Sequence, residues 1–157
     1  MSKLVIRFVN SDGFIGKSID WTTNSLFDHV EARSITGGWI GAHNKGGIQD
    51  RPVNYMNPSR EYIYGLPVSE TDYNIAQSYA QSMIGTKYNF EDIFGLLVHD
   101  RRYTNPHSLI CSQFMINYLF KASLQPLNVL PDFTYLISPE TLHLSPIFIG
   151  NLISKKG

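Results

Sequence analysis

Apolar and polar residues alternate with the two-residue period of β-strands over much of the chain's first half. The alternation predicts strands at residues 3–9, 29–34, 38–43, 48–53 and 61–67. Thr36-Gly37-Gly38 supplies the turn that would join the second and third strands into a hairpin. Pro52 would place the fourth strand at a sheet edge, because proline cannot donate a ladder hydrogen bond.

Helical periods are found mainly after these strands. Predicted helices cover residues 14–21, 69–84, 89–98, 108–123 and 138–142. Ser69 can cap the second of them, and Pro139 suits the first position of the last. Strands followed by helices indicate an α+β fold, in which helices pack on an antiparallel sheet.

Length and charge narrow the class of protein. We expect a single domain over residues 1–157, long enough to bury a sizeable core. The formal net charge is zero, which argues against a nucleic acid or an anionic membrane bound by bulk charge. We find no secretory signal and no apolar run long enough to span a membrane, so a cytoplasmic location is the default expectation.

Cys111 is the single cysteine of the chain and cannot form an internal disulfide. The helix predicted around it would put its sulfur at or near a helix N-terminus, where free N–H groups and the helix dipole favour the thiolate. A nucleophilic thiolate needs a base, and His29 is the upstream candidate. A lone cysteine is more often a small buried hydrophobe, and a lone histidine is often a surface residue. Together the two predict a cysteine hydrolase in which they meet in space.

The hairpin offers two partners that could orient His29. A turn centred on Thr36 pairs residues equally distant on either side, so His43 would lie opposite His29 with Cβ atoms roughly 5 Å apart. Glu31 shares a strand face with His29, at a Cβ distance of about 6–7 Å. Either could act as the third member of a triad, and a site without a third member is the remaining alternative.

Other chemistry-bearing residues form no recognised motif. The histidines and the cysteine lack HxxxH, CxxC and HExxH spacings, so neither a metal site nor a cofactor is expected. Phosphate-binding glycine loops and a GxSxG nucleophile elbow are absent. We interpret His99, His107 and His143 as polar loop or surface residues, although His107 lies only four residues before Cys111.

Five stretches of the chain resemble one family of hydrolases. They read WTTNSLFDHVE at 21–31, GWIGAHNKGGIQDRP at 38–52, GTKYNF at 85–90, LICSQF at 109–114 and ISPETL at 137–142. In order and spacing they resemble the circularly permuted branch of the NlpC/P60 superfamily. These are papain-like cysteine hydrolases that include the YiiX/YebB-like group and, more distantly, the lecithin:retinol acyltransferase group.

The resemblance implies roles for individual residues. Cys111 would be the nucleophile and His29 the base, and the third polar position would fall in the second hairpin strand, which favours His43 over Glu31. Tyr88 matches a motif tyrosine near the cleft and is a candidate substrate-binding residue. Gln113 replaces the commoner glutamate of the family.

The resemblance also implies a reaction. The expected substrate is a peptide-like amide, in particular a γ-D-glutamyl or related cell-wall peptide link, cleaved through a thioester. Lipid acyl hydrolysis or acyl transfer is the alternative within the superfamily. A binding or virion-structural module without turnover is the alternative from another class, and a regulatory thiol is a third. Phage-encoded and secreted-effector members suggest delivery to the periplasm or cell wall.

Overall fold

The computed structural model describes residues 1–10, 26–88, 108–128, 134 and 137–157. Its main element is a six-stranded antiparallel sheet of β1 (Ser2–Asn10), β2 (His29–Arg33), β3 (Trp39–His43), β4 (Gly47–Arg51), β5 (Arg60–Val68) and β8 (Leu152–Lys156). The strands lie in the order β4-β3-β2-β1-β5-β8. Two short strands, β6 (Lys87–Tyr88) and β7 (Ser108–Leu109), form a separate parallel pair.

Three helices accompany the sheet in the described part of the chain. They are α1 (Glu70–Ser82), α2 (Cys111–Lys121) and α3 (Pro139–His143), and a 3-10 turn follows at Pro146–Phe148. Ser69 and Ser138 cap α1 and α3 by accepting backbone N–H bonds of the first turns. None of these helices is both long and apolar enough to cross a membrane.

The two faces of the sheet differ in chemistry. One face carries apolar side chains such as Phe8, Val30 and Ile40, and α1 and α2 pack against it with Ala76 and Phe114 to form the core. Because side chains alternate along a strand, the intervening residues point to the other face. This second face carries polar side chains that are nevertheless buried, among them Arg7, Glu31 and His43.

Most predicted elements are confirmed within the described residues. The α+β class is correct, and β4 is an edge strand that ends at Arg51, immediately before Pro52. The helix predicted over 108–123 begins only at Cys111, because Ser108–Leu109 pair with Lys87–Tyr88 as a strand. The helices predicted over 14–21 and 89–98 lie outside the described residues.

His143 is not a surface residue, so that interpretation was wrong. It ends α3 and is half-buried in a cluster of aromatic rings, with centroids 5.0 Å from Phe8 and 4.6 Å from Phe27. Its Nε2 lies 2.7 Å from the hydroxyl of Tyr64. Aromatic packing therefore overrides the polar character of the side chain. His99 and His107 lie outside the described residues.

Candidate active site

Cys111 is the first residue of α2, so its sulfur lies at a helix N-terminus as predicted. The side-chain oxygen of Gln113 accepts the backbone N–H of Ile110 at 2.9 Å, which ties the first turn of the helix. Cys111 is 3% exposed, and its Sγ lies 4.0 Å from the backbone oxygen of Asp28. The start of α2 therefore lies against the start of β2.

His29 is brought to Cys111 by this contact between α2 and β2. The Cys111 side chain lies close enough to the His29 imidazole to raise the pKa of His29. On the other side of the ring, Nε2 lies 3.2 Å from Oε1 of Glu31. Since an imidazole has two nitrogens and Nε2 lies by Glu31, we assign the contact with the thiol to Nδ1. The two residues that the sequence pairs are thus neighbours in the structure.

The hairpin has the predicted register. Ala32 pairs with Ile40 and Arg33 with Trp39, and continuing this register puts His43 opposite His29. The two imidazole rings are tilted, with centroids 4.9 Å apart.

Glu31 reaches both histidines, whereas the sequence offered Glu31 and His43 as alternative partners of His29. Its Oε1 lies 3.2 Å from Nε2 of His29 and 3.3 Å from Nε2 of His43. The same register places Gly41 opposite Glu31, and a Cβ at Gly41 would come within 3.1 Å of the Glu31 Cγ. The missing side chain at Gly41 therefore provides the space in which the carboxylate lies between the rings.

The Glu31 carboxylate is held from both ends. The Arg7 guanidinium donates two hydrogen bonds to Oε2, one of them from Nε at 3.0 Å, and the Tyr55 hydroxyl donates to Oε1. Arg7 also donates to Glu61 at 3.1 Å and stacks 4.2 Å from the ring of Trp39. Glu31 is fully buried and Arg7 is 2% exposed, so this network is shielded from water.

The two histidines have opposite pKa shifts. Burial opposes a charge on His29, but contacts with Cys111 and Glu31 outweigh it and raise the pKa of His29 to about 10. For Glu31, burial is likewise outweighed by His29 and Arg7, which lower its pKa to about 2. Burial and the charge on His29 lower the pKa of His43 to about 3. Near neutral pH the cluster therefore holds an imidazolium, a carboxylate and a neutral imidazole.

Tyr88 lies beside the site, where the sequence expected a cleft residue. Burial, and electrostatic interaction with Cys111 and Asp28, raise the pKa of Tyr88 well above its ordinary value. Tyr88 also lines a pocket of about 330 Å³, together with Asn44, Gly46, Gly47, Gly85 and Lys87. This volume is at the lower end of the range for small-ligand sites. The pocket therefore adjoins the surroundings of Cys111.

Arg7 and Tyr55 are parts of the site that sequence reasoning missed. Arg7 interrupts an otherwise apolar strand, LVIRFV, and a charge in such a run is a signal of a buried partner. Tyr55 lies in the loop after β4, and no periodicity or motif distinguishes it. The spacing of histidines and cysteine along the chain predicted no metal site. Such spacing does not detect ligands that come together from two strands, as His29, Glu31 and His43 do.

Comparison with known proteins relates the fold to a solved structure. No protein-family model matches the sequence, and no curated protein sequence matches it significantly. The crystal structure of YiiX from Escherichia coli O157:H7, which is described as a metalloprotein, superposes with a TM-score of 0.73. The superposition covers 99% of this chain and 97% of YiiX at 13% sequence identity.

This chain shares the fold of YiiX. The likeness extends over nearly the whole length of both proteins, so the sheet and helices that position Cys111 and His29 belong to a common architecture.

Proposed function

We propose that the protein is a cysteine hydrolase with Cys111 as nucleophile and His29 as general base and acid. The observation that carries the proposal is the position of the buried His29 imidazole between the Cys111 thiol and the Glu31 carboxylate. A nucleophile, a base and a group that orients the base form the usual constellation for covalent catalysis. Glu31 takes the orienting role in this proposal, and His43 supports it as a neutral neighbour.

The reaction follows from these parts. In the resting site the Cys111 proton already lies on His29, as an imidazolium that Glu31 stabilises, and the sulfur attacks the substrate carbonyl. Backbone N–H groups in the first turn of a helix have no intrahelical partner, so those at the start of α2 can donate to the oxyanion. His29 then gives the proton to the leaving amine, and water hydrolyses the thioester.

The substrate class comes from the motif resemblance. We propose an amide in a cell-wall peptide, of the γ-D-glutamyl type, with the pocket beside Tyr88 accommodating part of it. Lipid esters are the alternative acyl donors. Mass spectrometry of muropeptides and acyl lipids incubated with the protein separates the two classes, because each predicts cleavage of one set and not the other.

Thiol reactivity tests the catalytic pair without knowledge of the substrate. The chain has a single cysteine, so intact mass after iodoacetamide treatment reports Cys111 alone. We expect rapid alkylation at pH 7 in the wild type and a rate lower by about tenfold or more in His29→Gln. The matched control is His143→Gln, which changes a half-buried histidine outside the site and should leave the rate unchanged. Equally slow alkylation in all three proteins would show that Cys111 is a structural core residue and not a nucleophile.

Turnover provides the second test. Once a cleaved substrate is found, Cys111→Ala and His29→Ala should each lower the rate by about 100-fold or more, because proton transfer and nucleophilic attack are both lost. Circular dichroism of the variants checks that the fold persists. A folded variant of either kind with substantial remaining activity would contradict the mechanism.

Metal binding is a second candidate function. The donor atoms of His29, Glu31 and His43 lie within 4.8 Å of one another, and the structural neighbour YiiX is described as a metalloprotein. The test is whether the chelator-treated protein takes up one Zn²⁺ or Co²⁺ per chain. A protein that binds neither ion has no such function.

A further inference from the structure

We propose that Nε2 of His29, Oε1 of Glu31 and Nε2 of His43 form a binding site for one zinc-like divalent ion, that Cys111 is not a ligand, and that the ion excludes hydrolysis. The last part rests on the proposed hydrolase function, whereas the site itself does not. These three atoms are the ligands, and the metal-bound protein is the inactive form.

The distances fit a tetrahedral ion. Zinc bonds to imidazole nitrogen and carboxylate oxygen are about 2.0–2.1 Å long, so two ligand atoms of one ion lie about 3.3 Å apart. The two nitrogens lie 3.2 Å and 3.3 Å from the shared carboxylate oxygen, and the whole set lies within 4.8 Å. Shifts of a few tenths of an ångström would bring all three atoms into coordination.

The hydrogen bonding of the histidines also favours a ligand. Both Nε2 atoms are buried, and neither makes a hydrogen bond of good geometry with any described residue, although Oε1 is close. Buried polar atoms normally have a partner, so two that converge on one point indicate an occupant. His29 is 9% exposed and His43 is 6% exposed. Two imidazoles with one carboxylate are ligands that suit zinc.

The surroundings support a cation there. Arg7 and Tyr55 hydrogen-bond to Glu31 and fix its orientation, as supporting residues do around metal-bound carboxylates. The positive charge of Arg7 is shared with Glu61, at 3.1 Å. When His29 is neutral, as a metal ligand must be, the two carboxylates carry one more charge than Arg7, and an ion can neutralise this negative surplus.

Exclusion of catalysis follows from the two nitrogens of His29. An ion on Nε2 uses that lone pair, so the neutral ring carries its proton on Nδ1, the nitrogen that faces Cys111. A ring in this state has no lone pair with which to accept the thiol proton. Proton transfer through His29 therefore needs the metal-free site, and the ion and the hydrolase compete for one side chain.

The binding experiment uses the chelator-treated protein of residues 1–157 and Zn²⁺, in competition with a chromophoric chelator. We expect one ion per chain in the wild type and in Cys111→Ser. Loss of a residue that only supports a metal ligand lowers affinity by about 10- to 100-fold. His43→Gln removes a ligand itself, so the affinity for Zn²⁺ should fall by at least as much. His143→Gln is the matched control and should bind like the wild type.

Two results would overturn the site. Loss of Zn²⁺ binding in Cys111→Ser, or a thiolate-to-metal charge-transfer band in the Co²⁺-loaded wild type, would make Cys111 a ligand. Unchanged affinity in His43→Gln would place the ion elsewhere. The Co²⁺ spectrum needs no variant, so it tests the ligand set even if a substitution impairs folding.

The two proposals fail in different ways. If Cys111 reacts slowly with iodoacetamide but one Zn²⁺ binds, the hydrolase is wrong and the metal site stands. If the thiol is reactive but no ion binds, the metal site is wrong and the hydrolase stands. If both hold, Zn²⁺ should inhibit turnover with half-inhibition at the concentration that half-saturates the site, and turnover unaffected at saturation would overturn the exclusion.

Discussion

Arg7 brings a positive charge into the middle of the sheet with 2% of its surface exposed. Removing such a group from water is costly unless it is paired and hydrogen-bonded. Glu31 and Glu61 accept its hydrogen bonds, and Trp39 covers the guanidinium plane. Arg7 therefore determines how Glu31 is oriented, and through Glu31 it influences His29.

Replacing Arg7 should expose this dependence. Arg7→Met leaves Glu31 buried without its cation, so we expect the free energy of unfolding to fall by about 3–5 kcal/mol. Arg7→Lys keeps the charge but loses the two-pronged geometry, so it should lie between Met and the wild type. Urea denaturation measures both. A Met variant as stable as the wild type would show that the ion pair contributes little.

His43 should make stability depend on pH in a defined window. Its pKa is about 3 in the folded protein and 6.5 as the ordinary value, so the unfolded chain takes up a proton as the pH falls below 6.5. Folding stability is therefore fully present above pH 6.5 and declines as the pH falls towards 3. Near pH 5.5 the pKa shifts of His29 and Glu31 add little slope, because His29 is mostly protonated and Glu31 mostly ionised in both the folded and the unfolded state. His29 contributes near pH 6.5 and Glu31 near pH 4.5, so the effect of His43 is read against a variant that keeps both groups.

The measurement is urea denaturation at several pH values between 4.5 and 6.5, with a chelator present. The wild type should lose up to about 1.4 kcal/mol per pH unit more than His43→Gln, which lacks the titrating group. Parallel slopes in the two proteins would mean that His43 titrates normally in the folded state.

At the scale of elements, the start of α2 determines where the nucleophile lies. Gln113 closes the first turn by accepting the Ile110 N–H, so the backbone just before Cys111 is fixed. Gln113→Ala should lower the free energy of unfolding by about 0.5–2 kcal/mol, as loss of a helix cap does, and should slow Cys111 alkylation. Gln113→Glu keeps an acceptor and should restore both quantities. Denaturation and alkylation of the two variants check this, and an unaffected alanine variant would contradict it.

The hairpin shows which parts of the site a sequence can predict. Thr36-Gly37-Gly38 fixed the turn, and alternation fixed which side chains share a face, so the neighbourhood of His29 and His43 was predictable. The reach of Glu31 was not, because it depends on the space left by Gly41 on the adjacent strand. Contacts across strands need the register and the side-chain volumes together.

Local signals were also too weak for the short and terminal strands. Lys155 and Lys156 resemble a solvated tail, yet they belong to β8, which pairs with β5 although its side chains are exposed. The parallel pair of β6 and β7 has two residues in each strand and no period to detect. Backbone hydrogen bonds, not burial of side chains, hold β8.

For the molecule as a whole, the sheet separates the site from its far edge. β8 lies three strands from β2, which corresponds to about 14 Å at the usual strand spacing. Deleting residues 152–157 should lower the free energy of unfolding, because the backbone pairing between β5 and β8 is lost. It should leave the rate of Cys111 alkylation within about twofold of the wild type. Thermal denaturation and alkylation measure the two effects, and a large loss of thiol reactivity would show that the edge supports the site.

The turn from Ser34 to Gly38 is closed by a backbone bond between these two residues, and Asp50 accepts the hydroxyls of Ser34 and Thr36. Whether the number of residues in this turn is odd or even determines the face of the sheet to which His43 points. One added codon would shift His43 to the opposite side of the sheet, whereas two would return it to the same side about 7 Å away along the strand. An insertion in the turn would thus disrupt the cluster without changing any of its polar residues. Homologues that keep the cluster should therefore have a turn of the same length, even where its sequence differs.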